Sequence, residues 1–292
     1  MAVLLPTSLD EAYDFLDRFP SAQLLAGGTD FMVEVNAGQR RPDVVVCLGR
    51  VPEISGWRFD DGHVVLGAAI TYTEMMGTEI ATALPGLAQA ARTVGSPQIR
   101  NTGTIGGNLG TASPAGDTLP ILAARGATIV VGARNYTRNV PLSEFVVGPK
   151  STSLRPGEII IEVRVPTGFA TQEFLKVGTR NAMVIAVASV ALVVDWTARR
   201  LHLALGSVGP VVIRAHEAEA LAESIIDWDS RQLKPPAATF EDYCALVRAA
   251  ARPIDDHRST AEYRRHAVGI CAERALRRAL AGERSKEASW TN

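Results

Sequence analysis

The sequence predicts an α+β protein in three units. Two N-terminal α/β units, residues 1–57 and 58–167, precede a C-terminal unit, 168–292, of antiparallel sheet with a helical bundle. Three observations carry this reading. Helix and strand signals alternate through the first two units. Apolar runs at 184–195 and 200–208 flank a turn at Thr197–Arg199, as paired strands do. Helical patterns then follow one another to the C-terminus without intervening strands.

In the first unit, Ser8-Leu9-Asp10-Glu11 reads as a capping box opening a helix that ends near Pro20. AQLLA (22–26) is a short apolar strand running into Gly27-Gly28. DVVVCL (43–48), β-branched and bounded by Pro42 and Gly49, is a buried strand. In the second unit HVVLGA (63–68) is a strand, Thr71–Glu74 a second capping box, and 85–94 a helix with Pro85 in its first turn. A helix from Asp117 to Arg125 is closed by Gly126, and strands follow at 127–131 and 158–166, the latter ended by Pro166. In the third unit helices are expected at about 214–225, 241–251 and 260–280. Ser259 and Glu262 form the last capping box, and Tyr263, Ala267, Ile270, Cys271, Ala275, Leu276 and Leu280 keep helical spacing. Pro/Gly-rich linkers are expected at 141–157 and 233–239.

Composition excludes several function classes. The 292 residues carry a net charge of −1, with Lys and Arg scattered, so nothing favours nucleic acid or an anionic membrane. The basic stretch Tyr263–Arg278 is interleaved with Ala and Leu, as on a solvated helix face. No apolar run reaches the roughly 18 residues that span a bilayer. The N-terminus has no basic n-region, so a cytoplasmic location is expected. Three widely spaced cysteines, Cys47, Cys244 and Cys271, fit neither a disulfide framework nor a zinc site, and they are too few for an all-cysteine iron–sulfur cluster within the chain.

Two segments echo one another: LLAGGTD (24–30) and TIGGNLG (104–110). Each looks like an apolar strand ending in Gly-Gly. Such turns expose consecutive backbone N–H groups and let a phosphate approach the chain, so two of them are able to clamp a diphosphate; two ordinary tight turns are the alternative. Other nucleotide and hydrolase signatures are missing. G-x-G-x-x-G and G-x-S-x-G are absent, Pro149 stands where a P-loop requires Gly before Lys150, and the five histidines show no H-x-x-x-H pairing.

Leu25–Asp30, Gln98–Asn108 and Ala112-Ser113-Pro114-Ala115-Gly116-Asp117 together resemble the FAD-binding medium subunit of molybdenum hydroxylases, the xanthine dehydrogenase and carbon monoxide dehydrogenase family. Leu154–Glu158, Ala204–Pro210 and Ser259–Arg265 extend the resemblance, which covers about residues 3–282. It implies two PCMH-type FAD-binding subdomains closed over by a C-terminal domain of the carbon monoxide dehydrogenase flavoprotein type. By the same resemblance Leu25, Ala26, Gly27, Gly28, Thr29 and Asp30 form the first diphosphate loop, and Thr104, Ile105, Gly106, Gly107 and Asn108 the second. Ser113 and Asp117 would sit against the flavin nucleotide, Asp117 as a hydroxyl partner. Ile160 and Lys176 match an apolar and a basic position near FAD. The Asp30 backbone N–H is expected to face the phosphates while its carboxylate caps the next short helix.

The resemblance further implies a flavin module without catalytic residues or metal of its own. Molybdopterin and iron–sulfur clusters would reside on a large and a small partner subunit, in a dimer of heterotrimers. A self-contained FAD oxidoreductase and a non-enzymatic nucleotide-binding module are the alternatives. The first would need its own substrate base, and the second would carry no flavin chromophore.

Overall fold

The computed structural model describes residues 1–168, 170–234 and 240–282. The fold is α+β, with three principal sheets. The first is parallel and three-stranded, in the order Ala2–Leu4, Val44–Cys47, Gln23–Leu25. Ser8 caps the helix Leu9–Arg18 by accepting from the Glu11 amide. The box is incomplete, because the Glu11 carboxylate accepts from the Thr7 amide and hydroxyl rather than from the cap residue.

The second sheet is antiparallel throughout, in the order Trp57–Asp60, His63–Gly67, Ile159–Pro166, Thr128–Ala133, Tyr136–Pro141. Thr71 and Glu74 form a complete capping box, opening the helix Tyr72–Met75. The segment 141–157, read as a linker, contains a helix Leu142–Phe145 and a small hairpin pairing Val146–Gly148 with Ser151–Thr152. Its C-terminal end is pinned by Glu158. That carboxylate is buried and accepts from Arg138, Tyr136 and the Arg155 amide, which hold it down at about 2.

The third sheet orders Ala170–Val177, Ala188–Asp195, Arg200–Gly206 and Ile213–Arg214. The strand Ala170–Val177 has no counterpart in the sequence reading. The run at 184–195 becomes strand only from Ala188. Its continuous hydrophobicity has a plain cause: both faces of this sheet are covered. Val190, Leu192 and Val194 face the helices His216–Ile225, Phe240–Ala250 and Ala261–Leu280, while Ala191 and Val193 join the core of the N-terminal units. The last helix is capped by Thr260, not Ser259, whose backbone pairs with Asp256 instead. Buried Arg264 donates to the Val187 and Ser207 carbonyls and to Asp256, fastening this helix to the sheet ends. Residues 235–239 of the second expected linker lie outside the described residues.

Candidate functional site

The strand Gln23–Leu25 ends at the first glycine pair, and the chain then enters the short helix Phe31–Asn36. Gly28 has φ +71°, a conformation that glycine adopts at little cost. The amides of Gly27, Gly28, Thr29 and Asp30 donate to no acceptor among the described residues, so four consecutive N–H groups are without a protein partner. A Cβ on Gly27 would overlap the Thr102 carbonyl oxygen and lie 2.9 Å from Gly103 Cα. This glycine is required by the seam between the first two units.

The second pair sits differently from the sequence expectation. No strand precedes it. A helix Pro97–Thr102, capped by Ser96, leads into Gly103, and Thr104 caps a further helix, Ile105–Thr111. The Gly-Gly pair is therefore in the first turn of a helix, and its amides are occupied. Ile105 N–H donates to Ile70 at 3.0 Å, Gly106 to Ala68 at 2.8 Å and Asn108 to the Thr104 carbonyl at 3.0 Å. Gly107 N–H donates to Thr104 Oγ1, also at 3.0 Å. A Cβ on Gly106 would come within 2.7 Å of the Ala68 carbonyl oxygen. A Cβ on Gly107 would meet only one atom closely, Thr104 Oγ1 at 3.1 Å, and one on Gly28 would find ordinary contacts from 3.5 Å, although its φ disfavours any side chain.

Both segments line one cavity of about 280 Å³. Leu25, Ala26, Gly27, Gly28, Thr29, Asp30, Thr104, Gly106, Gly107, Asn108 and Ile160 all contribute to its wall. Leu24, Leu48, Ile54 and Leu154, none of them among the expected site residues, add apolar surface, and Tyr72 joins the lining. An ionic clasp stands at the lining. Glu34 pairs with Lys150 at 2.7 Å and with Arg40 at 2.8 Å, while the Arg40 guanidinium lies 4.7 Å from the Phe31 ring centre. These cations lower the Glu34 pKa, the Lys150 hydrogen bond most. Asp30 occupies the N-cap position of its helix, but its carboxylate makes no capping bond, contrary to expectation; the Thr111 hydroxyl reaches it at 3.5 Å.

Four expected residues lie outside this lining. Ile105 is fully buried core. Ser113 closes its own turn by accepting from the Ala115 amide. Asp117 and Lys176 form a buried ion pair, Nζ to Oδ2 2.6 Å, with side chains only 8% and 7% exposed. Burial pushes the Asp117 carboxyl up to about 6 against the opposing pull of Lys176. Its second oxygen, Oδ1, is buried with no partner. Asp117 stands next to Thr118, whose hydroxyl donates at 2.5 Å to Oδ1 of Asn108, a lining residue of the cavity. Lys176 lines a second cavity, together with Arg92, Arg100 and Arg180.

The sequence of the N-terminal half matches the model of the FAD-binding domain in molybdopterin dehydrogenase over residues 1–168, and residues 173–279 match the carbon monoxide dehydrogenase flavoprotein C-terminal domain. The chain belongs to the FAD-binding subunits of molybdenum hydroxylases. This FAD-binding subunit is 31% identical to the carbon monoxide dehydrogenase medium chain of Hydrogenophaga pseudoflava, covering 94% of this chain and 96% of that one. It is 30% identical to the glyceraldehyde dehydrogenase medium chain of Sulfolobus acidocaldarius, covering 92% and 95%. The solved carbon monoxide dehydrogenase from H. pseudoflava superposes with a TM-score of 0.86 at 29% identity, over 96% of this chain and 97% of that one. The FAD-binding subunit is thus part of an oxidoreductase, and its cofactor is FAD. Among the described residues no helix is long and apolar enough to cross a membrane, and no cluster of metal ligands occurs.

Proposed function

We propose that this chain is the electron-transfer subunit of its hydroxylase: it takes electrons from an iron–sulfur small subunit and passes them to an external acceptor, while a molybdopterin large subunit holds the substrate. The observation that carries the reading is the row of unpartnered amides at Gly27–Asp30, in the wall of a cavity that Gly106 and Gly107 also line. A diphosphate needs such donors and such room. The apolar wall of Leu24, Leu48, Ile54 and Ile160 suits an aromatic ring system. The orphaned Asp117 Oδ1 suits a hydroxyl donor.

On this reading subdomains 1–57 and 58–167 hold the cofactor between them, and 168–292 closes the site by delivering Lys176 to Asp117. Bound FAD supplies redox chemistry in one- or two-electron steps. The protein's own part is to fix the dinucleotide with backbone donors, exclude water along the apolar wall and hold a cation at Lys176. With three cysteines, the chain has no all-cysteine cluster of its own to act as electron donor, which supports dependence on partners in a dimer of heterotrimers.

The test is activity of the purified chain against its co-expressed complex. The chain alone should bind FAD yet oxidise no aldehyde, purine or related heterocycle with a dye acceptor. Co-expression with partner subunits should produce substrate-dependent bleaching of the flavin. Turnover by the single chain, free of iron and molybdenum, would establish a self-contained flavoenzyme instead.

A further inference from the structure

The two glycine loops are unequal in a way that demands a further donor. The first loop offers four amides, whereas those of Ile105–Asn108 on the opposite wall are consumed within the protein. Any hydrogen bond to a phosphate from that wall must come from a side chain. A second problem is charge. Asp30 lines the same cavity and makes no ion pair among the described residues, so a diphosphate held by its own loop meets an uncompensated carboxylate.

Tyr72 stands where both problems meet. It is the first residue of the helix Tyr72–Met75, and it lines the cavity although only 5% of the residue is exposed. Its placement is rigid. The Tyr72 amide donates to the Gly103 carbonyl at 3.1 Å, and Thr71 bridges Thr104. The ring packs so closely on Gly103 that a Cβ there would lie 2.7 Å from Tyr72 Cε2. Gly103 is also the residue on which Gly27 seats, so the ring is braced at the junction of the two loops. Its hydroxyl makes no hydrogen bond among the described residues, and Asp117 and Asp30 both act on it. Burial, then those two carboxylates, raise the phenol well above its ordinary pKa, so it stays protonated and has a hydrogen to donate.

We propose that Tyr72 is a cofactor-positioning residue whose hydroxyl donates to a phosphate oxygen of the bound dinucleotide and stands between that phosphate and the Asp30 carboxylate. This rests on the FAD reading above. It makes a phenol hydroxyl do on one wall what bare amides do on the other, and it accounts for an acidic residue inside an anion-binding loop.

The test uses the full-length chain stripped of FAD, with affinity read from quenching of FAD fluorescence. Tyr72→Phe removes one oxygen and keeps the ring. It should raise the FAD dissociation constant about tenfold or more, the range for a hydrogen bond to a charged group, while the melting temperature of the FAD-free protein stays unchanged. Asp30→Asn supplies the second arm. If the phenol shields the phosphate from Asp30, the Tyr72→Phe penalty should shrink when Asp30→Asn is also present. An unchanged FAD affinity in Tyr72→Phe overturns the proposal, and so does a penalty of equal size with and without Asp30→Asn. Failure of the unsubstituted chain to bind FAD would instead overturn the reading on which the proposal rests.

Discussion

Lys176 Nζ lies 2.6 Å from Asp117 Oδ2, joining the third sheet to the start of the helix Thr118–Ala124 across 59 residues of sequence. Both side chains are buried, and Asp117 Oδ1 is left without a partner. The pair makes FAD-free protein sensitive to pH. The folded Asp117 pKa of about 6 exceeds the unfolded value of 3.8, so the folded state binds the proton more tightly. Its contribution to stability is complete below about pH 4 and is lost as pH rises through about 6. Denaturant melts between pH 4 and 7 should show this fall, and Asp117→Asn should flatten it.

Asp117→Ala should also weaken FAD binding about 10- to 150-fold, if the orphaned Oδ1 accepts from the cofactor. Fluorescence titration checks this. Unchanged affinity would leave Asp117 solely as the counter-ion of Lys176.

The glycines should separate into two groups by what their substitution harms. Gly27→Ala drives a methyl into the Thr102 carbonyl and should destabilise the fold by about 1–3 kcal/mol, visible as a lower melting temperature without FAD. Gly107→Val meets only Thr104 Oγ1 closely, at 3.1 Å, and adds bulk to a residue of the cavity wall, so it should abolish flavin retention in a protein that still melts cooperatively. Full flavin absorbance in purified Gly107→Val protein would contradict this.

The Lys150–Glu34 contact joins the small hairpin to the helix Phe31–Asn36 at the cavity lining. Lys150 is exposed, so the contribution is small, about 0–1 kcal/mol. Lys150→Ala should speed FAD release by up to about fivefold, and salt should remove the difference between the two proteins. Stopped-flow measurement at low and high ionic strength reads both effects.

Glu158 illustrates the opposite sign. Its pKa of about 2 lies below the ordinary 4.5, so its stabilisation is present above about pH 4.5 and lost as pH falls through about 2. Glu158→Ala would remove the carboxylate partner of Arg138, which is partly exposed and keeps the Ser153 carbonyl, and should cost about 1–3 kcal/mol. Acid-induced unfolding of the two proteins should converge at low pH.

Much of this was legible from residues alone. The strands at 43–48, 63–68 and 200–208 announced themselves by β-branching and length, and the helix caps at Ser8 and Thr71 by residue type. Eleven of the fifteen expected site residues line one cavity. What escaped was set by tertiary contact. The strand Ala170–Val177 has polar residues at Gln172, Glu173 and Lys176, all of which turn inward to specific partners, so no hydrophobic pattern betrays it. The helical setting of Gly106-Gly107 was hidden because glycines argue for a turn, while the Thr104 cap that starts the helix also reads as loop. Tyr72 was hidden inside a capping box that explained its surroundings well enough.

Ala170–Val177 also constrains how such proteins are recombined. Its Lys176 supplies the counter-charge of Asp117, and Ser207, at the same end of the sheet two strands away, donates its amide to the Pro114 carbonyl in the adjoining turn. A fusion that borrows residues 1–168 as a portable flavin cassette would inherit a buried carboxylate with no cation and a turn with a severed tether. Module exchange between relatives therefore has to carry the third sheet along with the glycine loops, and a chimera joined near residue 168 should succeed only when both halves come from chains that agree at positions 117 and 176.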